Sequence, residues 1–507
     1  MKKLSIIIAT VIIFALSLLH TGCTNGFDSM NEDPNNPIKV PASNILARAI
    51  HYSFDPIWDV RMNCYYAGAY SGMVGAPDYE YRNTINTSMF NNMYVCMQYC
   101  VKTMGVAEEE ENFNIYAAAL TLKVYYAQLT TDSWGDIPYS EAFRLVDGIE
   151  FVYPHYDKQK DVYIQMLAEL KEAADLFDTN GPSVGVGDYL FNGNVAKWQK
   201  FCNSLRLRVA IRGSSGDPAI ASSTIAEVLG NPTSYPIIST NADNAYWWFP
   251  GISPDLEIWY TSYMGTMGRD ANGVKNTIFR PQQPFIDALQ DNNDPRLPVY
   301  FDKNIQDGIY AGHRFGPNDA SDPYANNNNY RSAFGDRFTN DPAGFEPFMN
   351  AAEVQFCIAE AYARGVGVTA NDANARTAYE KGINLSCEEN GITDADGEIT
   401  DFLAENGVVW NGTDAEKLGK IALQKWIVLI KQSMNAWAEV RRTNVPDLKG
   451  WVQSVYWSTH DYPPFRMYYS DTEALLNPNF PKDVVSKDIF WGDRVWWDNK
   501  PEREPTH

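Results

Sequence analysis

The side chains that most often perform chemistry are spread along this chain without the spacing that catalysis or metal binding needs. No HExxH motif is present, and the six histidines lie far apart at His20, His51, His155, His313, His460 and His507. Zinc centres and histidine-based triads need several such groups brought together in a recognisable pattern. The sequence therefore predicts no metal, no catalytic residues and no enzyme of these classes.

Two further segments resemble cofactor or metal motifs but lack their essential positions. GPSVGVGD (181–188) is rich in glycine, yet it lacks the spacing of a dinucleotide-binding fingerprint. ITDADGEITDFL (392–403) resembles a calcium loop, but aligning Gly397 with the turn glycine puts Ile392 and Leu403 where oxygen ligands are required. We interpret the second segment as an acidic turn and predict no cofactor.

Aromatic residues are concentrated in NAYWWFPGISPDLEIWYTSYMG (244–265), which glycine and proline interrupt. Such rings either form a core or present flat faces to a ligand, and the apolar C–H faces of sugars suit the second use. In AYWWFP, strand alternation turns Tyr246 and Trp248 to one face and Trp247 to the other, so at least one tryptophan is expected to pack inside. The predicted ligand-binding rings of this stretch are Trp247, Trp259, Tyr260 and Tyr263.

Two polar loops are candidates to complete such a site. GAPDYEYRNT (75–84) offers Asp78, Tyr79, Tyr81 and Arg82. DPYANNNNYR (322–331) offers Tyr324 and Tyr330 together with four asparagine amides. The alternative interpretation of the second loop is a mobile polar insertion.

Helical periodicity indicates the elements that must position these loops. Apolar residues recur at helical spacing in four predicted pairs: 88–111 with 112–131, 157–178 with 194–212, 351–365 with 371–389, and 414–434 with a short partner. Asn194 is placed to cap its helix. The pairs resemble tetratricopeptide units, whereas residues from about 230 to 345 are dominated by turn formers and aromatics. The predicted fold is mostly α, with a helix-pair scaffold and an irregular loop-rich lobe.

Composition and charge limit the classes of molecule that the protein is expected to bind. The 507 residues carry 41 basic and 63 acidic side chains, a formal net charge of −22. Such a surface repels phosphate backbones and anionic lipid headgroups, so no nucleic acid is expected. Neutral ligands remain compatible with it.

The N-terminus has the pattern of a secretory signal. MKK is followed by the apolar run LSIIIATVIIFALSLL and by HTGC, which resembles the lipobox of bacterial lipoproteins although His20 replaces its usual aliphatic residue. We predict a signal peptide at 1–22, lipidation at Cys23 and a tether through residue 41, so that the membrane is contacted only through the anchor. A plain signal peptide or an N-terminal membrane helix is the alternative.

A series of segments in fixed order resembles the SusD/RagB family of outer-membrane nutrient-binding lipoproteins. The segments are NEDPNNP (31–37), WGDIPYSEAF (134–143), NSLRLRVAIR (203–212), NDPRLPVYF (293–301), AAEVQFCIAEAYARG (351–365), QKWIVLIKQSMNAWAEVRRTNVPDL (424–448), PPFRMYYSDTEALLNPN (463–479) and RVWWDNK (494–500). Asn435 and Asn444 depart from the family pattern, which has an acid and a glycine at these places.

The resemblance implies one SusD-like domain over 42–507, made of four tetratricopeptide-like helix pairs and a ligand-binding lobe. It implies a non-catalytic protein, anchored in the outer membrane and facing the cell exterior, that captures glycans and serves a SusC-like TonB-dependent transporter. It also favours the 75–84 loop as part of the binding face. Asp136 and Pro138 are expected to shape a turn, and Arg441 and Arg442 to pair with buried acids.

Other functions stay open at this stage. Members of the same family also capture peptides. A surface glycoside hydrolase needs two carboxylates that face each other across a sugar, and sequence alone does not show which acids do so. A helical repeat adaptor without a small ligand is the third alternative.

Overall fold

A computed structural model describes residues 39–53, 60–75, 87–264, 275, 279–314, 322–450, 460, 462–482 and 491–500. Residues 42–507 form one compact unit, and its secondary structure is mostly helical. In the described part of the chain, no helix is both long and apolar enough to cross a membrane.

The helices, in chain order, are α1 (Ala42–Tyr52), α2 (Ala67–Tyr70), α3 (Thr87–Glu109), α4 (Phe113–Trp134), α5 (Gln159–Leu176), α6 (Val195–Gly213), α7 (Pro218–Gly230), α8 (Ile258–Met264), α9 (Gln283–Gln290), α10 (Leu297–Tyr300), α11 (Pro323–Asn326), α12 (Asp336–Thr339), α13 (Ala351–Arg364), α14 (Asp372–Glu389), α15 (Glu398–Ala404), α16 (Asp414–Ile427), α17 (Ser433–Thr443) and α18 (Asp471–Leu476). A π-helix spans Val60–Tyr66, and 3₁₀ turns span Ile149–Val152, Asn241–Asp243, Asn328–Tyr330 and Asp394–Asp396.

The predicted helix pairs are present and pack against each other: α3 on α4, α5 on α6, α13 on α14 and α16 on α17. Capping explains several of their limits. Asn194 accepts a hydrogen bond from the Lys197 amide at 3.1 Å, as predicted. Nearly every side chain of α4 is buried, so this helix is the centre of the scaffold rather than an amphipathic surface helix. The tetratricopeptide-like fold is confirmed.

One predicted helix is shorter than expected. We expected 414–434 to be continuous, but α16 ends at Ile427 and α17 begins only at Ser433. Lys431 lies between them with a φ of +65°, in the left-handed region. This turn directs its ammonium group into the interior, where it binds Glu257 and Glu346 at 2.7 and 3.1 Å.

The described residues between 230 and 345 are irregular, as predicted, and the described helices between α7 and α13 are no longer than eight residues. Each described sheet has two antiparallel strands. The pairs are β1 (Val74–Gly75) with β3 (Arg280–Pro281), β2 (Ala245–Trp248) with β6 (Phe345–Met349), and β4 (Phe301–Asp302) with β5 (Ala333–Phe334). We call this region the irregular lobe.

Buried ion pairs join the scaffold helices. Arg208 forms a bidentate pair with Glu353, at 2.7 and 2.6 Å. Arg442 pairs with Glu360 and Glu439, as predicted from the signature segment. The Arg441 guanidinium lies 3.5 Å from the ring centre of Trp437 and donates a hydrogen bond to the Phe465 carbonyl at 2.9 Å.

The turn that follows α4 is organised by Asp136. Its carboxylate accepts hydrogen bonds from the Gln159 amide and from the Lys158 ammonium group, both at 2.8 Å. The Asp136 carbonyl accepts one from the Tyr469 hydroxyl at 2.7 Å. Asp136 therefore connects the end of α4 to the start of α5, which is the structural role expected for it.

Candidate functional site

Two rings predicted to stack on a ligand are buried. Trp259 is 2% exposed, and it packs 4.8 Å from Phe334 with the Lys431 ammonium group 5.5 Å from its ring centre. Trp247 is 3% exposed, covered by Phe249 at 4.2 Å and by Tyr189 at 6.0 Å. A ring with so little free surface offers no face to a sugar, so the prediction is wrong for both.

Trp259 is buried because of a local cap and a distant partner. Glu257 accepts hydrogen bonds from the backbone amides of Trp259 and Tyr260, which starts α8 where the sequence indicated a loop. The same carboxylate binds Lys431 of the scaffold. The indole is thereby fixed within the core of the lobe.

The remaining predicted residues of this stretch stay candidates. Tyr260 is half-buried. Tyr263 belongs to the same helix, but its side chain lies outside what the structure describes, as do Asp78, Tyr79, Tyr81 and Arg82. Their role in binding stays a prediction.

The half-buried Tyr324 and Tyr330 come together with the exposed Arg314 and Asp307 in a group that we call the tyrosine cluster. The two rings meet edge to face with centroids 5.6 Å apart. The Arg314 guanidinium lies 4.9 Å from the centre of the Tyr324 ring, and the Tyr324 hydroxyl donates to Asp307 at 3.1 Å. That hydrogen bond to a carboxylate raises the pKa of Tyr324. The sequence did not predict Arg314 or Asp307.

Backbone contacts hold this cluster in shape. The Asn304 side chain donates to the Tyr330 carbonyl at 3.1 Å, and the Arg331 guanidinium donates to the Tyr324 carbonyl at 2.5 Å. Asp322 caps the short helix α11 by accepting from the Tyr324 amide at 2.8 Å. These contacts connect the backbone at Tyr324 and Tyr330 to Asn304, Asp322 and Arg331.

A second aromatic group, which we call the tryptophan shelf, was not predicted as a site. Trp248 is 55% exposed, the only exposed tryptophan within the described ranges. Its ring lies 5.1 Å from Phe345, which in turn stacks on Tyr246 at 4.8 Å with an interplanar angle of 8°. The Arg337 guanidinium lies 5.0 Å from the same Phe345 ring and donates to Asn390 at 2.8 Å. An indole is thus displayed on an aromatic base formed by Phe345 and Tyr246, with polar groups close by.

The shelf is supported from beneath by Tyr246. Its hydroxyl donates to Glu389 at 2.6 Å, and burial together with this carboxylate raises the pKa of Tyr246 well above its usual range. The cavity beside Phe345 measures only about 20 Å³, too small for a sugar ring. The shelf therefore offers a flat face rather than a pocket, which suits stacking on an extended chain. In β2, successive side chains point to opposite faces of the strand, and this alternation is the sequence signal that distinguishes the exposed Trp248 from the buried Trp247.

Comparisons with known proteins agree with this architecture. The chain matches a family model described as SusD-like, starch-binding and associating with the outer membrane, over residues 34–470. No curated protein matches it.

Solved structures of similar fold cover nearly the whole chain. A chitin-binding protein is 26% identical with a TM-score of 0.74, covering 90% of this chain and 100% of its own. A SusD homologue from Bacteroides uniformis is 25% identical with a TM-score of 0.72, covering 90% and 99%. A chitin-binding SusD homologue from Flavobacterium johnsoniae is 24% identical with a TM-score of 0.72, covering 91% and 99%, and shows the fold. The chain belongs to the SusD-like family.

Proposed function

We propose that this protein captures an oligosaccharide on its irregular lobe, outside the outer membrane, and delivers it to a SusC-like TonB-dependent transporter. It is held there by a lipid on Cys23 and catalyses no reaction on the ligand. The family description names starch binding, and two structures of the same fold are named as chitin-binding. These names favour a neutral glycan as the ligand class.

The observation that carries the proposal is the exposure of Trp248. Tryptophan is normally well covered in a folded protein, and the other described tryptophans here are buried or half-buried. An indole fixed on Phe345 costs little further ordering when a ligand binds. Its face suits the C–H side of a sugar, and its N–H is available as a polar contact. The tyrosine cluster, with Arg314 and Asp307, offers a second contact of the same kind.

The expected contribution of Trp248 follows from its free area. An aromatic side chain buries about 150–250 Å² in all, and 55% of Trp248 is exposed. Covering about half of that exposed area at about 25 cal/mol per Å² gives about 1–2 kcal/mol. This corresponds to about a tenfold change in Kd.

Calorimetry with the form that lacks residues 1–23, which keeps the compact unit 42–507 whole, tests the proposal. Chito-oligosaccharides and malto-oligosaccharides are the first ligands to try. We expect Trp248→Ala to weaken binding about tenfold. The matched control is Phe113→Ala, because Phe113 is 49% exposed at the start of scaffold helix α4, and we expect it to bind like the parent.

Three results would contradict the proposal. Equal binding by Trp248→Ala, Tyr324→Ala and Tyr330→Ala variants would remove the lobe as the site. Binding of peptides but not of glycans would favour peptide capture within the same family. Release of shorter sugars by the pure protein would favour a hydrolase.

A further inference from the structure

Apolar side chains are exposed together at one place on the scaffold, outside the irregular lobe. They come from the loop 145–153, which includes the 3₁₀ turn Ile149–Val152, and from the short helix α18. Their exposed fractions range from 39% for Val152 to 94% for Val146. We call this group the apolar patch, and its members are Leu145, Val146, Ile149, Val152, Tyr153, Leu475 and Leu476.

Hydrogen bonds join the two segments that carry the apolar patch. The Asn479 side chain donates to the Tyr153 carbonyl at 2.6 Å, and the Tyr156 hydroxyl donates to Glu473 of α18 at 3.0 Å. The Tyr156 ring also meets Phe480 edge to face, with centroids 5.6 Å apart. The loop and α18 therefore lie side by side, so that their exposed side chains contribute to one surface.

The apolar patch has the size of the apolar part of a protein interface. At about 100 Å² for a complete aliphatic side chain and about 200 Å² for a complete aromatic one, its exposed portions amount to about 500 Å². The largest apolar patch on a monomeric protein usually measures about 300–600 Å² and is often functional. One side of a standard interface buries about 800 Å², of which rather more than half is apolar. The area is thus what a bound partner would cover.

Acidic side chains are in excess in the segments that carry the apolar patch. Residues 141–155 and 471–482 contain five acids against two bases and one histidine. Arg144, one of the bases, pairs with Asp147 at 2.8 Å, and His155 lies 2.9 Å from Glu141. A second copy of this chain would bring two acidic rims together, and anionic lipid headgroups would meet the same repulsion. The charges therefore favour a different protein, with an apolar surface and a basic rim.

We infer that the apolar patch docks this protein on the extracellular face of its SusC-like transporter. The inference rests on the proposed function, which names that partner, and it assigns the contact to the scaffold. The patch shares no residue with the irregular lobe, so the lobe can hold a glycan while the scaffold is docked. The matching face of the transporter is expected to present apolar side chains bordered by Lys or Arg.

Affinity purification of the full chain from detergent-solubilised outer membranes of its native cells tests this inference. Mass spectrometry measures how many copies of a TonB-dependent transporter accompany each copy of the chain. We expect the double variant Val146→Asp, Leu475→Asp to retain at least tenfold less transporter than the parent, because two charges then face an apolar surface. The matched control is Val186→Asp, since Val186 is 95% exposed outside the patch, and it should retain as much transporter as the parent.

Several outcomes would overturn the docking surface. Equal recovery of transporter with the double variant and the parent, or its absence from both, would do so. A dimer of the soluble form that the double variant abolishes in analytical ultracentrifugation would make a second copy the occupant. Flotation with phosphatidylcholine and phosphatidylethanolamine vesicles that the double variant abolishes would make the occupant a lipid surface.

Glycan calorimetry on the same double variant separates this inference from the function on which it rests. Both substituted residues lie outside the irregular lobe, so we expect the glycan affinity to equal that of the parent. Loss of the transporter with normal glycan binding supports the docking surface. Failure of the parent to bind any glycan would instead refute the proposed capture, whatever the recovery of the transporter.

Discussion

Replacing Glu360 by glutamine is the sharpest test of how the scaffold is held together. Glu360 is 95% buried, and its carboxylate joins Arg442 and Arg364. Glutamine keeps the shape of the side chain and removes only its charge. The two guanidinium groups then lose the carboxylate that compensates them in a region of low dielectric.

The pKa of Glu360 gives the size of the expected loss. The shift from an ordinary value of 4.5 to about 2 corresponds to about 3 kcal/mol in the free energy of unfolding at neutral pH. Breaking a buried ion pair by removing one partner costs about 3–5 kcal/mol. We therefore expect Glu360→Gln to lower the free energy of unfolding by about 3–5 kcal/mol relative to the parent.

The same shift predicts the pH dependence. Because the folded-state pKa lies below the unfolded one, the contribution of Glu360 is complete above about pH 4.5 and is lost as the pH falls towards about 2. The difference between parent and Glu360→Gln should stay constant from pH 7 to pH 5. It should then shrink by about 2 kcal/mol between pH 5 and pH 3.

Urea unfolding followed by tryptophan fluorescence at pH 7, 5 and 3 measures these differences. The control is Glu380→Gln, which breaks the exposed 2.7 Å pair with Arg376 and should cost less than about 1 kcal/mol. A loss below about 1 kcal/mol for Glu360→Gln at pH 7, or a difference that does not change down to pH 3, would refute the reasoning.

Two further predictions concern the joint between lobe and scaffold and the contact between two helices. Lys431→Met leaves the buried carboxylates of Glu257 and Glu346 without their cation. We therefore expect urea unfolding to show a free energy of unfolding about 3–5 kcal/mol lower than that of the parent. The exposed control Lys381→Met should change this free energy by no more than about 0.5 kcal/mol, and an equal effect of the two variants would contradict the argument. Gly382→Ala would place a Cβ 2.7 Å from the buried Phe356 ring, so we expect a net loss of about 1–3 kcal/mol. Gly419→Ala, in a helix position with no atom within 4 Å of the added Cβ, should instead gain up to about 1 kcal/mol, and equal unfolding of both glycine variants would show that the Phe356 contact has no effect.

The scaffold was predictable because its determinants are local. The spacing of apolar residues placed the paired helices within a few residues of their observed bounds. The Asn194 cap can also be recognised in the sequence, because it is the residue immediately before the helix that it caps. The break at Lys431 was not visible. It depends on Glu257, which lies 174 residues away in sequence, and no local pattern indicates a partner at that distance.

The site was only partly predictable, for the same reason. The tyrosine pair in 322–331 was found from its polar, aromatic composition, and the structure brings its two rings together. Trp259 was misplaced because neighbouring proline and glycine suggest an exposed loop. Its burial is decided instead by Phe334 and Lys431, which approach from other parts of the chain.

The density of rings in 244–265 has a physical cause that precedes any ligand. Where the structure describes it, the lobe consists of two-stranded sheets and helices of at most eight residues, which provide little regular backbone with which to build a core. Each aromatic side chain buries about 150–250 Å² from a single backbone position, so a few rings, such as Trp259, Phe334 and Phe345, supply the apolar area that long helices supply elsewhere. Aromatic composition thus indicates where an irregular lobe lies, whereas the one ring that β2 leaves uncovered, Trp248, indicates where that lobe is free to bind.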